Sequence, residues 1–284
     1  MPLILEGKKV AEALYSKLLL EVSLLSVVPK IVFLLVGDDP ASQTYVRSKG
    51  KKCLDLGLQS ETLTYPSDFK EEQLVAKIQE LNHDKSVNGI LVQLPLPAHM
   101  NKLRVLKAID PTKDVDGLHS DNMGKLMQGE PRFVACTPAG VVEMLKFYAI
   151  PMEGSNVVVV GRSEIVGKPM AQLMLMQNST VTICHSKTKH LSDFTKKADI
   201  LIVAMGKPKF VTAEMVKDGA TVIDVGIHRV NERLVGDVDF DSVAPKCSAI
   251  SPVPGGVGPM TIAMLMKNLV LAATLQERAK TAAP

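Results

Sequence analysis

Five short apolar runs constrain this chain more than any other feature. They are Lys30–Gly37 (KIVFLLVG), Asn88–Pro97 (NGILVQLPLP), Asn156–Val160 (NVVVV), Asp199–Ala204 (DILIVA) and Thr221–Gly226 (TVIDVG). A run such as IVFLLV has strand length and no polar alternation, as expected of a strand covered on both faces. Between the runs lie stretches with helical spacing. Residues 8–25 place Val10, Leu14, Leu18, Val22 and Leu25 on one face. Further helices are predicted over 39–57, from Ser67 or Asp68 to about Asn82, near 101–108 and over 137–148. Others run from Gly167 through Gln177, near 189–196 and 212–217, and over 260–279. Strands are also predicted at 59–65, 180–184 and 247–251, with a hairpin or loop over 231–241. Strand–helix alternation of this kind predicts an α/β fold with parallel sheets and right-handed crossovers.

Residues 110–133 break the pattern. They are rich in Gly, Asp and Lys, show little periodicity, and read as a passage between two domains. A chain of 284 residues is near the size at which one core divides. The expected division is a first domain over 1–120 and a second over 137–259. Thr137-Pro138 is expected to cap and open the helix after the passage.

The helix from Asp39 to Gly57 (DPASQTYVRSKGKKCLDLG) has marked ends. Asp39 suits the N-cap, Pro40 the first helical position, and Gly57 the left-handed residue after the last turn. Ser42, Tyr45, Lys49 and Cys53 recur at spacings that put them on one stripe. Val46, Cys53 and Leu54 form an adjoining apolar strip that could dock on a sheet. The plainer reading of that stripe is a half-buried Tyr45 with Lys49 snorkelling beside it to water.

The second half has the outline of a dinucleotide-binding domain. VVVVGRSEIVG ends a buried strand at Gly161 and starts a helix at Gly167, leaving backbone N–H groups and a positive helix end for a pyrophosphate. Ser163 stands where GxGxxG has its second glycine, and a nucleotide-free flavodoxin-like domain gives the same outline. An NAD site usually carries Asp or Glu at the end of the next strand. Here that position reads Cys184-His185-Ser186-Lys187-Thr188. Serine, lysine and nearby Arg162 accept a 2′-phosphate that a carboxylate would repel, so NADP is favoured over NAD. The plainer reading of HSKT is a solvated strand end.

Charge and cysteine usage bound the partners. Net charge is +3, from 33 basic and 30 acidic residues, with no arginine-rich run, which argues against nucleic acid. Cys53, Cys136, Cys184 and Cys247 are far apart and form no CxxC pair. That pattern suggests neither zinc nor a disulfide framework, and fits a reducing compartment. The N-terminus lacks a basic region followed by an apolar one. Met260–Leu275 is too short to span a bilayer and contains Lys267. The expectation is a cytoplasmic protein with no membrane association, the alternative being an organelle matrix after removal of a presequence.

Three further features could carry chemistry. Gln93 ends the buried strand GILVQ, where an open parallel sheet borders its ligand crevice; it could equally be a polar residue satisfied by loop backbone. Asp114 and Asp116 in KDVDG could be a metal pair or turn carboxylates, and they do not complete a calcium loop. PVPGGVGPMT (252–261) could let backbone approach a flat ligand, or simply join a strand to a helix.

Taken together, eight stretches resemble the bifunctional methylenetetrahydrofolate dehydrogenase/methenyltetrahydrofolate cyclohydrolase family. They are SQTYVRSK (42–49), GILVQLPLP (89–97), KDVDG (113–117), CTP (136–138), VGRSEIVGKP (160–169), CHSKT (184–188), VGI (225–227) and PVPGGVGPMT, in order over nearly the whole chain. The resemblance implies two α/β domains flanking a cleft, the C-terminal one a Rossmann-like, doubly wound parallel sheet. It implies that the final segment, 260–284, packs back on the first domain, and that the protein is a homodimer. It implies that Lys49 is the catalytic lysine, Gln93 tunes it, Tyr45 lines the folate's aminobenzoyl ring and Asp116 binds the pterin. Val92, Leu94, Pro254 and Gly255 match folate-contacting positions. Gly161, Arg162, Ser163, Ser186 and Ile227 match NADP-binding positions, and no metal is implied.

The implied chemistry suits these residues. Hydride leaves the methylene carbon of 5,10-methylenetetrahydrofolate, and water then opens the resulting methenyl ring to 10-formyltetrahydrofolate. A lysine acting as base near neutral pH must drop roughly three units from its reference pKa near 10.4. The alternative is a charged Lys49 that orients or polarises through Gln93. Two other readings stand beside this one. A shikimate dehydrogenase-like NADP enzyme would leave YVRSK, VQLPLP and PGGVGPMT unexplained. A non-catalytic folate- or nucleotide-binding module would leave the Tyr45, Lys49, Gln93 and Asp116 set without purpose.

Overall fold

The apolar runs become the central strands of two parallel sheets. A computed structural model describes residues 1–281. In chain order the elements are β1 (Leu3–Ile4), α1 (Gly7–Ser23), β2 (Lys30–Val36), α2 (Pro40–Asp55), β3 (Gln59–Tyr65), α3 (Glu71–His83), β4 (Gly89–Val92), α4 (Lys102–Lys107), α5 (Ser120–Met127) and α6 (Cys136–Phe147). They continue with β5 (Asn156–Val160), α7 (Gly167–Met176), β6 (Thr180–Cys184), α8 (Leu191–Thr195), β7 (Ile200–Val203), β8 (Thr221–Asp224), β9 (His228–Val230), β10 (Arg233–Val235), α9 (Phe240–Val243), β11 (Ala249–Ile250) and α10 (Val257–Thr281).

The chain divides into two compact units. One comprises Met1–Ala13 with Ala135–Met264, the other Leu14–Val134 with Leu265 onward. In the second of these, β2 is central to a three-stranded parallel sheet of order β3-β2-β4. Its core packs Val32, Leu34 and Val36 against Leu74 and Ile78 of α3 and Val105 of α4. The other unit holds a six-stranded sheet of order β1-β11-β8-β7-β5-β6, parallel throughout. The chain leaves β5 in one direction to β6 and resumes at β7 in the other, so β5 and β7 flank the switch point of a doubly wound sheet.

Several boundaries differ from the sequence reading, each for a physical reason. Residues 1–13 group with the six-stranded sheet instead of with a domain over 1–120. Leu3 and Ile4 add a strand beside Ala249 and Ile250, and the Glu6 N–H donates to the Tyr148 hydroxyl at 3.0 Å. The passage over 110–133 is not featureless. Asp114 bridges to Ile90 in parallel, and α5 occupies Ser120–Met127. Helix α3 starts at Glu71 after Lys70 instead of after Ser67 or Asp68, and α6 starts at Cys136 after Ala135. Neither start has a side-chain cap. The hairpin β9–β10 turns at Asn231 and Glu232, both at positive φ, slightly earlier than expected.

Helix α10 is longer than the segment judged too short for a membrane. Val257–Ala279 is long and apolar enough by length and composition, yet most of it is buried inside the protein. Within the Leu14–Val134 unit, its Met266 sulfur meets the Cys53 thiol at 3.5 Å. Its Asn268 amide donates to the backbone carbonyls of Val115 and Val134 at 2.8 and 3.1 Å. A buried amide with two backbone partners is the mark of a core helix. Residues 282–284, part of the expected final segment, lie outside the described residues.

Candidate functional site

Helix α2 carries the stripe that the sequence singles out. Asp39 caps it by accepting the Ser42 N–H at 2.8 Å, and Gly57 takes φ +70° just beyond its end. Ser42, Val46, Lys49 and Cys53 are its buried residues. Leu54, expected on the docking strip, is 71% exposed because it falls outside that arc. Lys49 does not snorkel. It is 4% exposed, and its Nζ donates to Gln93 Oε1 at 3.0 Å. The same Nζ stands 4.5 Å from the centre of the half-buried Tyr45 ring, one helical turn before it.

Gln93 is placed by the sheet. Strand β4 ends at Val92, and the Gln93 N–H still donates to Leu34 of β2 at 2.9 Å. Its side-chain Nε2 donates to the Leu94 carbonyl at 2.7 Å. That bond fixes the amide with its oxygen toward the lysine; a flipped amide would face donor to donor. Leu94 precedes Pro95 through a cis bond. The Val92 side chain is buried in the core.

The KDVDG loop separates into two kinds of residue. Lys113 donates to the Leu81 and Asp84 carbonyls at 2.9 and 2.7 Å, closing the end of α3. Asp114 is fully buried and accepts the N–H groups of Leu118 and His119 and the Asn122 amide, at 3.2, 2.8 and 2.8 Å. Burial pushes its carboxyl above the usual carboxylate range. Asp114 is therefore a turn-holding carboxylate and not half of a metal pair. Asp116 is half-exposed. The parallel Ile90–Asp114 bridge is isolated, and the chain turns directly after it: the Gly117 N–H donates to the Asp114 carbonyl at 3.1 Å, which puts Asp116 on the turn.

The other unit holds a cavity of about 380 Å³ at the β5/β7 switch point. Its lining includes Gly161, Arg162, Ser163, Ser186, Thr188 and Lys207. Gly161 has φ +140°, and a Cβ there would strike the Ala204 carbonyl. A Cβ on Gly167 would strike the backbone of Gly161. These two glycines let strand, turn and helix close on one another. The amides at the start of α7 are not free, as the sequence reading had them. Ser163 Oγ accepts those of Val166 and Gly167 at 3.2 and 3.3 Å. A hydroxyl accepting two such bonds still has a proton to donate.

The lining contains Arg162 and Lys207 and no Asp or Glu, a donor set that fits the extra phosphate of NADP. Lys187 is not in the lining; its N–H donates to His185 Nδ1 at 3.1 Å. Ile227 is 61% exposed beyond the end of β8. Lys207 escaped the sequence reading. It follows β7 in AMGKPKF, a strand end of the same kind as Gly161, and that rule would have found it. Pro254 and Gly255 belong to this unit as well, on the loop before α10. Pro254 follows a cis bond and Gly255 has φ +102°.

Comparison with known proteins adds an independent line. The family model for the tetrahydrofolate dehydrogenase/cyclohydrolase catalytic domain matches residues 5–116, and that for its NAD(P)-binding domain matches 135–277. The bifunctional protein FolD of Acetivibrio thermocellus is 52% identical over 281 residues, covering 98% of this chain and 99% of the relative. The crystal structure of the bifunctional enzyme FolD from Campylobacter jejuni superposes with TM-score 0.95 at 46% identity, over 97% of this chain and 99% of that one. FolD from Trypanosoma brucei, solved with NADP and an inhibitor, gives TM-score 0.94 at 37% identity over 98% and 99%.

Proposed function

This chain belongs to the tetrahydrofolate dehydrogenase/cyclohydrolase family, and on that premise we propose that it carries both of the activities in the family's name. It oxidises 5,10-methylenetetrahydrofolate to 5,10-methenyltetrahydrofolate with NADP, and hydrolyses the product to 10-formyltetrahydrofolate. The shikimate dehydrogenase-like and non-catalytic readings are set aside.

The observation that carries the hydrolytic half is the buried Lys49–Gln93 bond with Tyr45 beside it. In this reading Lys49 Nζ is the atom that handles protons when water adds to the methenyl carbon. Gln93, pinned by the Leu94 carbonyl, holds that nitrogen in one place. The Tyr45 ring offers a face for the aminobenzoyl group, and Asp116 offers an acceptor for the pterin's N–H groups. Val92, Leu94, Pro254 and Gly255 complete the folate contacts. The Leu14–Val134 unit thus supplies Tyr45, Lys49, Gln93 and Asp116, the residues of the hydrolytic step.

The unit containing Ala135–Met264 holds the nucleotide. Gly161, Arg162, Ser163 and Ser186 hold it at the switch point, where the glycines permit close approach and Arg162 meets phosphate, and Ile227, exposed beyond β8, adds a further contact. The chemistry supplied by bound NADP is acceptance of a hydride. A soluble, cytoplasmic protein fits the four buried free cysteines. Homodimer formation through the nucleotide unit fits the edge position of β6, where Ile183 is exposed, as is Leu175 on α7.

One assay tests the whole reading. Methenyltetrahydrofolate absorbance should rise when the protein meets methylenetetrahydrofolate and NADP. Added methenyltetrahydrofolate should then decay faster with protein than without, in the absence of nucleotide. Absence of the first signal refutes the dehydrogenase, and absence of the second the cyclohydrolase.

A further inference from the structure

Asp237 is the most completely buried carboxylate beside the cavity, with 0% exposure, and no step described so far uses it. Its Oδ2 accepts the N–H groups of Met205 and Gly206 at 2.7 and 2.9 Å. Its Oδ1 accepts the Lys207 N–H at 2.8 Å and His228 Nε2 at 2.7 Å. Three consecutive amides thus converge on one side chain, and they belong to the loop after β7. Met205 and Lys207 line the cavity together with Gly161.

Only a carboxylate can accept at both ends in this way, because a carboxamide presents a donor at one of them. Asp237 is itself held. Its own N–H and that of Val238 donate to Asp224 at 3.0 and 2.9 Å, at the end of β8. Glycine is required at two points around the pair. A Cβ on Gly226 would come within 2.5 Å of the Asp237 carboxyl carbon, and one on Gly236 would strike the Asp224 carboxylate.

We propose that Asp237 is a positioning residue for the dinucleotide site. By gathering the amides of Met205, Gly206 and Lys207, it holds the loop after β7 in its cavity-forming shape before nucleotide arrives. The proposal rests on the reading of this cavity as the NADP site. The reason for such a device is energetic. Three successive amides with no strand partner would favour a loose loop, and ordering that loop on binding would cost affinity.

The test is Asp237→Asn, which keeps the volume and removes the second acceptor. Hydrogen exchange at the amides of residues 205–207 is expected to accelerate at least ~10-fold without nucleotide. The dissociation constant for NADP, measured by calorimetry, is expected to rise at least ~10-fold, about 1.4 kcal/mol. Unchanged exchange, or unchanged NADP affinity, overturns the proposal. The native protein gives a measurement that does not depend on the variant's folding. Without NADP, amides 205–207 should exchange at least ~100-fold more slowly than in an unstructured peptide, and exchange at the peptide rate overturns the proposal. Adding NADP should protect residues 161–163 of the native protein. If it does not, the cavity reading fails and the proposal falls with it. If it does and Asp237→Asn binds NADP normally, the proposal alone falls.

Discussion

Lys49 shows how little one residue says by itself and how much its neighbours say. Helical spacing puts it in line with Tyr45, but spacing alone leaves it a solvated lysine. Its burial depends on β4 delivering Gln93 to the same place, 44 residues away in sequence. Replacing Lys49 by Ala should lower nucleotide-free hydrolysis of methenyltetrahydrofolate by at least ~100-fold while leaving the circular dichroism spectrum intact. Near-normal hydrolysis would remove Lys49 from the chemistry. Asp224 supports a different kind of expectation. Burial pushes its carboxyl up to about 6, with the charge of Asp237 adding to the rise. A carboxyl raised on folding adds stability that is fully present below about pH 4 and is lost as pH rises through about 6. The paired carboxylates Asp84 and Asp199, held low by Ser86 and Lys217, act in the opposite sense. The readout is therefore the stability difference between the native protein and Asp224→Asn in urea. It should fall by about 3 kcal/mol between pH 4 and pH 7. A flat difference would show that Asp224 does not titrate in this range.

At the scale of elements, legibility followed the locality of the cause. Helix α2 was readable at both ends because Asp39, Pro40 and Gly57 act within one turn of the residues they affect. Gly57 has open space where a Cβ would go, so Gly57→Ala isolates the backbone term. It should cost about 1 kcal/mol, seen as a lower urea midpoint with an unchanged slope. The starts of α3 and α6 were misplaced because neither has a side-chain cap to leave a signature. Helix α5 was hidden for another reason. Eight residues with a single fully buried large side chain, Leu126, give too short a period to stand out from the Gly- and Asp-rich segment around them. Helix α10 shows the reverse error. Its length was underestimated because Gly258 and Pro259 look like loop, yet a proline in the first turn of a helix is well tolerated.

For the whole molecule, the α/β architecture with parallel sheets was legible from five apolar runs, whereas the doubly wound order of the larger sheet came only with the family resemblance. The grouping of the N-terminus was not, since two residues of strand carry almost no period and their partner lies at the far end of the chain. The hidden part of the nucleotide unit is the carboxylate pair Asp224 and Asp237, whose partners are backbone amides that no side-chain pattern announces. Removing residues 1–4 deletes β1 and bares the edge of β11. Hydrogen exchange should quicken in β11 and leave β2 and β4 of the other unit unaffected. Equal quickening in both would show one cooperative unit instead of two. The pairing of β1 with β11 also sets an order of events at the ribosome. The first strand emerges roughly 250 residues before the strand it needs. At about 5–20 residues per second that is on the order of 10–50 s with its backbone unpaired. A nascent chain can thus complete the three-stranded β3-β2-β4 sheet early, whereas the six-stranded sheet closes only when synthesis is nearly done.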